Sequence, residues 1–257
     1  MKLYVLQCGV LYSDKGVFVR GNDGTPFNVP VPYYLIEHEK GYVLFDSGHN
    51  KNTIENPHTL HPVIQEAFKP AEIGSGYVLD ALKQLNVKPE DIVYHICSHL
   101  HFDHAGGIGL FPNATYIVQK EELIMAFDPT PEMAVVYFRE DFDKNINWKK
   151  LDGFNDHLYD VFNDGKLIIH YTPGHTPGHQ SLQVNLTHDA SMLLTQDACF
   201  TEENLNELIL PASVHNPDDY VKTLKHFQTL QAQGIKIVTG HDPQVWLPLK
   251  KAPEFYS

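Results

Sequence analysis

Residues 98–107 read Ser-His-Leu-His-Phe-Asp-His-Ala-Gly-Gly and directly follow an apolar run at 92–97. Three imidazoles and a carboxylate within six positions, set between a strand-like run and two glycines, restrict what this chain can become. In extended backbone, residues two apart face the same side, so His99 and His101 can present their rings to one point. Asp103 and His104 are adjacent, and in a tight turn adjacent side chains diverge enough to reach a second ion. Gly106 and Gly107 let the backbone turn without a Cβ clash. The segment calls for a metal site at the end of a strand.

A metal needs more than two protein ligands, and further candidates stand beyond other strand-like runs. His175 lies in Thr-Pro-Gly-His-Thr-Pro-Gly-His (172–179), immediately after the run 166–171. Asp197 follows the run 192–195, and His241 follows 235–238 and Gly240. Five histidines and two carboxylates suit zinc or another borderline divalent ion, since calcium prefers all-oxygen sites and iron–sulfur clusters want thiolates. His179 either replaces His175 as a ligand or makes a hydrogen bond beside the site. Of the chain's 16 histidines, His38, His49, His95, His170, His188 and His226 read as ordinary surface or core residues.

Composition narrows the remaining classes. A chain of 257 residues with 42% hydrophobic and 20% charged residues can bury a sizeable core, which excludes disorder, collagen and coiled coil. One α/β domain spanning 1–257 is expected. The net charge of −13 argues against nucleic acid held through phosphate contacts. Cys8, Cys97 and Cys199 are far apart and form no CxxC, which excludes a disulfide scaffold and a thiolate zinc ribbon and fits a reducing cytoplasm. No run approaches about 18 apolar residues, so no transmembrane helix is expected. No GxSxG occurs to suggest a serine nucleophile.

The order of elements is alternating α/β. The run 3–12 reads as a first strand, and 33–37 and 42–46 form a hairpin around Glu39-Lys40-Gly41. A helix over 77–85, a strand at 92–97, a strand at 115–119 and an acidic helix start at Glu121-Glu122 follow. Between 128 and 156 the periodicity dissolves into Pro, Asp, Asn and aromatic residues, which predicts a connector or cover segment. Strands at 166–171, 181–185 and 192–195 come next. Asn216 caps a helix with Pro217 at its first position and Tyr220, Leu224, Phe227 and Leu230 on one face, Gly234 ends it, and 235–238 closes the chain's strands. A sandwich of two sheets with helices outside satisfies this order.

Together SHLHFDHAGG, TPGHTPGH, the aspartate of TQDACF and the late TGHD resemble the metallo-β-lactamase superfamily, with matches from about Asp46 to Asp242. The run VPVPYYLIEHEKGYVLFDSG and TPGHTPGHQSL are most similar to its N-acyl-homoserine lactonase branch, which includes pyridoxolactonase-like enzymes. The resemblance implies an αββα sandwich of two mixed sheets with a dinuclear site at one edge that holds two Zn ions, with Co, Fe or Mn as alternatives. It assigns His99, His101 and His175 to one ion, Asp103, His104 and His241 to the other, and Asp197 to the bridge. Asp46 then either orients a ligand histidine or caps the hairpin turn.

The implied activity is hydrolysis of the ester bond of a lactone ring, an acyl-homoserine lactone in quorum quenching, by a metal-bridging hydroxide. Asp103 or Asp197 would relay the proton. Other readings are a pyridoxolactonase-like or glyoxalase II-like ester or thioester hydrolase, and a di-iron oxidoreductase on the same fold. The oxidoreductases generally carry glutamate where His101 stands, together with a flavin domain. One departure stands out: the branch has a tyrosine three residues after the bridging aspartate, and here that residue is Phe200, which donates no hydrogen bond. Tyr33, Tyr34 or Tyr137 could substitute, or Phe200 could line an apolar acyl channel. The stretch 56–68 reads as a cover over the substrate tail or as a solvent loop entering a short helix. The expected partner is a small lactone or ester, with no nucleic acid and no membrane. A homodimer is expected on the resemblance alone.

Overall fold

A computed structural model describes residues 1–70 and 76–257. Its strands are β1 (Lys2–Asp14), β2 (Pro26–His38), β3 (Gly41–Phe45), β4 (Lys69–Pro70), β5 (Ile92–Ile96), β6 (Thr115–Gln119), β7 (Trp148–Leu151), β8 (Leu158–Asp160), β9 (Leu167–Tyr171), β10 (Gln180–Val184), β11 (Met192–Gln196) and β12 (Lys236–Thr239). Its helices are α1 (Lys15–Phe18), α2 (Lys51–Glu55), α3 (Pro62–Ala67), α4 (Val78–Gln84), α5 (Lys120–Phe127), α6 (Arg139–Phe142), α7 (Glu202–Glu207), α8 (Pro217–Ala232) and α9 (Pro243–Trp246). One sheet runs β4-β1-β2-β3-β5-β6-β7 and the other β12-β11-β10-β9-β8. Both are mixed: β3, β5, β6 and β7 are parallel to one another, as are β11 and β12, and the other pairs are antiparallel.

The strand period of two sorts side chains into layers. On β2, Tyr34 and Ile36 face the second sheet and share a core with Ile169, Leu182 and Leu194. Tyr33 and Leu35 face outward and pack with Val78 and Leu82 of α4. On the far side Leu193 and Ile237 meet Tyr220, Leu224, Phe227 and Leu230 of α8. These four α8 side chains are buried, each contributing roughly 1.5–3 kcal/mol. Asn216 caps that helix by accepting from the backbone of Asp218 and Asp219 at 3.0 and 3.2 Å. The αββα layering expected from the sequence is the one observed.

Proline shapes the centre of the first sheet. Pro30 and Pro32 stand in β2 where they cannot donate to the ladder. The register with β1 slips there, between Gln7 and Val10, and the carbonyl of Pro30 is left to serve the site described below.

One expectation needs correction. The stretch 128–156 is more than a connector, because α6 and β7 lie inside it and β7 extends the parallel sheet beside β6. Its sequence, Trp-Lys-Lys-Leu, alternates too little to announce a strand, as befits an edge position. The sequence reading also gives no strand at β4 or β8 and no helix at α1, α2, α7 or α9. Among the described residues no helix is long and apolar enough to cross a membrane.

Candidate metal centre

The candidate ligands follow the C-terminal ends of strands from both sheets. His99, His101, Asp103 and His104 come after β5, His175 after β9, Asp197 after β11 and His241 after β12. Two tight backbone turns aim them. Asp46, just past β3, has φ of 58°, and Gln196, the last residue of β11, has φ of 47°. Glycine does similar work where loops touch. A Cβ on Gly106 would lie 2.0 Å from the backbone nitrogen of Asn50, so only glycine lets the histidine loop seat against the turn after β3.

Seven side chains converge as two groups. His99, His101, His175 and Asp197 form one and Asp103, His104 and His241 the other, with the ligand atoms of each group within 4.8 Å of one another. Asp197 lies between them. Its Oδ2 is 3.7 Å from His99 Nε2 and 3.3 Å from His175 Nε2. Its Oδ1 is 3.1 Å from His104 Nε2 and 3.0 Å from His241 Nε2. Each carboxylate oxygen thus faces a different set of imidazoles. His101 presents Nδ1, 3.1 Å from His175 Nε2, and Asp103 Oδ2 lies 3.6 Å from His104 Nε2.

The opposite ring nitrogens are fixed by hydrogen bonds that set the tautomer. His104 Nδ1 donates to Asp46 Oδ2 at 2.9 Å. His241 Nδ1 donates to the Pro30 carbonyl at 2.7 Å. Ser98 Oγ donates to Asp46 Oδ2 at 2.7 Å and so accepts from His99 Nδ1 at 2.9 Å. In all three rings Nδ1 carries a proton and Nε2 points inward. The Nε2 atom of His99 is buried without a hydrogen-bond partner, an arrangement that costs stability unless something occupies the space beside it.

Asp46 thus both sits in the turn after β3 and bonds a candidate ligand imidazole directly. It also accepts from the Ser98 backbone at 2.6 Å and from the Gln196 amide. His179 lies in neither group. Its Nδ1 bonds Thr172 Oγ1 at 3.0 Å and its ring stands 5.2 Å from that of His99.

Burial pushes the His99 imidazole well below its ordinary range and takes His101, His175 and His179 down to about 3. These rings are neutral, as ligation requires. Burial acts on His104 and His241 in the same direction, but Asp197 and Asp103 outweigh it and raise both. Burial would raise Asp197, yet the surrounding imidazoles, His104 first, hold it well below the usual carboxylate range. Protons and a metal ion therefore compete for the second group. The donor set, its neutral imidazoles and the orphaned His99 Nε2 fit divalent ions of the zinc class.

A cavity of about 230 Å³ opens over the centre and includes His101, Asp103, His175, Asp197 and His241 in its lining. The remaining wall is mostly apolar, with Phe18, Ile64, Phe68, Phe102, Val136 and Phe200, and carries Glu132 and Ser213 as its polar members. Phe200 stacks on His241 with ring centroids 5.5 Å apart and meets Phe18 edge-on at 5.2 Å. None of the three tyrosines considered as replacement donors lines this cavity. Tyr33 bonds the Gly76 carbonyl and Tyr137 bonds Glu122, while Tyr34 is buried between the sheets. From the stretch 56–68, Val63, Ile64, Ala67 and Phe68 form one wall. Phe102, hidden in the sequence among the ligands, forms another. Ser98, Gln196 and the Pro30 carbonyl escaped sequence reasoning because no motif marks them.

The metallo-beta-lactamase superfamily model matches residues 27–241. The N-acyl homoserine lactonase AttM of Rhizobium radiobacter is 38% identical over 260 aligned positions, covering 100% of this chain and 99% of that protein. An N-acyl homoserine lactone hydrolase solved with its product N-hexanoyl-L-homoserine at the catalytic metal center superposes with a TM-score of 0.87, 31% identity, and coverage of 99% and 98%. An AiiA variant of B. thuringiensis with N-decanoyl-L-homoserine at its active site gives a TM-score of 0.88, with 31% identity and the same coverage. These relatives are hydrolases acting on lactone ester bonds, and lactonases of this family are metal-dependent. With its two ligand groups, its αββα layers and relatives matched end to end, the chain belongs to the metallo-beta-lactamase superfamily, in its N-acyl homoserine lactonase branch.

Proposed function

We propose that this protein is a dinuclear metal-dependent lactonase that opens the ring of N-acyl homoserine lactones. The observation that carries the reading is the position of Asp197, whose two oxygens face two separate ligand sets beneath an apolar cavity. His99, His101 and His175 would hold one ion, and Asp103, His104 and His241 the other, with Asp197 shared. When bound, such ions supply an activated water nucleophile at neutral pH and a Lewis acid for the ester carbonyl. Zinc suits this donor set.

The chain's own residues do the rest. Asp46, Ser98 and the Pro30 carbonyl hold ligand imidazoles in the tautomer that leaves Nε2 free. Phe68, Phe102, Val136 and Phe200 exclude water and receive an apolar acyl tail. The side chains of Asp103 and His175 each keep 12% of their surface accessible, which places them where the cavity meets the centre. Asp103 is positioned to move a proton toward the leaving alkoxide, and Asp197 is enclosed by imidazoles. Phe200 offers no hydroxyl beside Asp197, so stabilisation of the substrate oxygens would fall to the metal centre.

One catalytic domain spans 1–257 in this reading. Three free, buried cysteines support a reducing, cytoplasmic location, and sizing in solution checks the expected homodimer. The functional test is acid release from a panel of lactones, thioesters and phosphoesters. N-acyl homoserine lactones are expected to lead the panel, and turnover confined to thioesters or phosphoesters would reject the proposal.

A further inference from the structure

Glu122 is fully buried in the first turn of α5, and among the described residues no metal-ligand group includes it. Its Oε1 accepts from the backbone nitrogen of Leu100 at 3.0 Å and from the Tyr137 hydroxyl at 2.9 Å. Its Oε2 accepts from Thr176 Oγ1 at 2.5 Å. The Gly178 backbone is a further donor, and a Cβ at Gly178 would lie 2.1 Å from the Glu122 nitrogen. Leu100 lies between His99 and His101, and Thr176 follows His175. The Tyr137 ring in turn packs edge-on against His101, with centroids 4.7 Å apart. One carboxylate thus ties the histidine loop after β5, the histidine loop after β9 and the aromatic wall over His101.

We propose that Glu122 is a positioning residue that registers the two histidine loops, one from each sheet, for binding the ion held by His99, His101 and His175. This rests on the metal-centre reading above. His99 and His101 belong to the first sheet and His175 to the second, so their convergence depends on how the two loops dock. An apolar side chain would fill the same space at lower desolvation cost. Only an acceptor with two oxygens can satisfy donors arriving from both loops at once. Burial raises the Glu122 carboxyl, and the converging donors oppose that rise.

Glu122→Gln keeps the volume but turns an amide group toward donors. Thr176→Val and Tyr137→Phe each remove one donor and leave the carboxylate. Zinc affinity is measured by competition with a chromophoric chelator, ligand geometry by the visible spectrum of the cobalt-loaded protein, and kcat and KM with a lactone. The expected result for Glu122→Gln is a loss of about 10–100-fold in zinc affinity, an altered cobalt spectrum, and a fall in kcat with KM held within about twofold. Thr176→Val and Tyr137→Phe should show smaller losses in the same direction, and they decide the matter if Glu122→Gln does not fold. Wild-type affinity and spectrum in the folded variants, even with a lowered melting temperature, would overturn the inference alone. A wild-type protein that takes up neither zinc nor cobalt would overturn the metal reading and this inference with it.

Discussion

Replacing Asp46 by asparagine changes one atom in the most connected acceptor of the site. The backbone tolerates it, because asparagine adopts the left-handed region that Asp46 occupies at φ 58°. Oδ1 can still accept from the Ser98 backbone. The other oxygen becomes an amide group facing three donors: Ser98 Oγ, His104 Nδ1 and the Gln196 amide. His104 can relieve the conflict by moving its proton to Nε2, which removes the lone pair it would offer an ion.

Hydrogen bonds to a charged acceptor are worth about 1.5–3 kcal/mol each, and breaking a buried charged network costs about 3–5 kcal/mol. At about 2–4 °C per kcal/mol for a chain of this size, the metal-free variant should melt roughly 6–20 °C lower. Affinity for the ion held by Asp103, His104 and His241 should fall about 10–100-fold, or about 1.4–2.7 kcal/mol at 1.36 kcal/mol per factor of ten. The assay is a two-site chelator competition that resolves a tighter and a weaker ion. Asp46→Asn protein that binds both ions within twofold of wild type would refute the orienting role of Asp46.

Phe200→Tyr adds a hydroxyl beside His241 and the cavity, at the position where the branch carries its donor. Lactone kcat should rise, by no more than about the hundredfold to thousandfold that a single oxyanion donor is worth, and an unchanged kcat would show that the donor is not needed here. Asp141 is buried against Asn50, which donates to its Oδ1 at 2.8 Å, and burial pushes its carboxyl up to about 6. A raised folded-state value means that its stabilising contribution is complete below about pH 4, the unfolded value, and is lost as pH rises through 6. Asp141→Asn should therefore gain on wild type by up to about 3 kcal/mol between pH 4 and pH 7 in denaturant titrations. A difference that does not vary with pH contradicts the assignment. Because His104 and His241 are raised in the metal-free chain, protons compete with metal for that group, so chelators should strip it faster as pH falls below neutrality; equal stripping rates across pH 5–8 would count against it.

The centre was legible because its chemistry is written in side-chain type and spacing. Histidines and aspartates placed just beyond apolar runs led directly to the seven residues that the structure brings together. The helix opened by Asn216-Pro217 was readable for a similar reason, since its cap and its apolar face are local signals. The supporting residues carried no such mark. A glutamate at 122 looks like any acidic residue in a first helical turn, and the Pro30 carbonyl has no side-chain signature. Strand β7 was missed because an edge strand with two lysines lacks a buried face on both sides. The apolar cavity draws on α1, α3, the stretch 128–139 and the loop after α7, segments that only tertiary packing brings together.

The most direct measurement is a metal titration of chelator-stripped protein, reading hydrolysis of an N-acyl homoserine lactone against bound zinc. A dinuclear lactonase should be inactive when stripped and reach full activity at two ions per chain. Full activity in the stripped protein, or saturation of both activity and binding at one ion, would contradict the shared role assigned to Asp197.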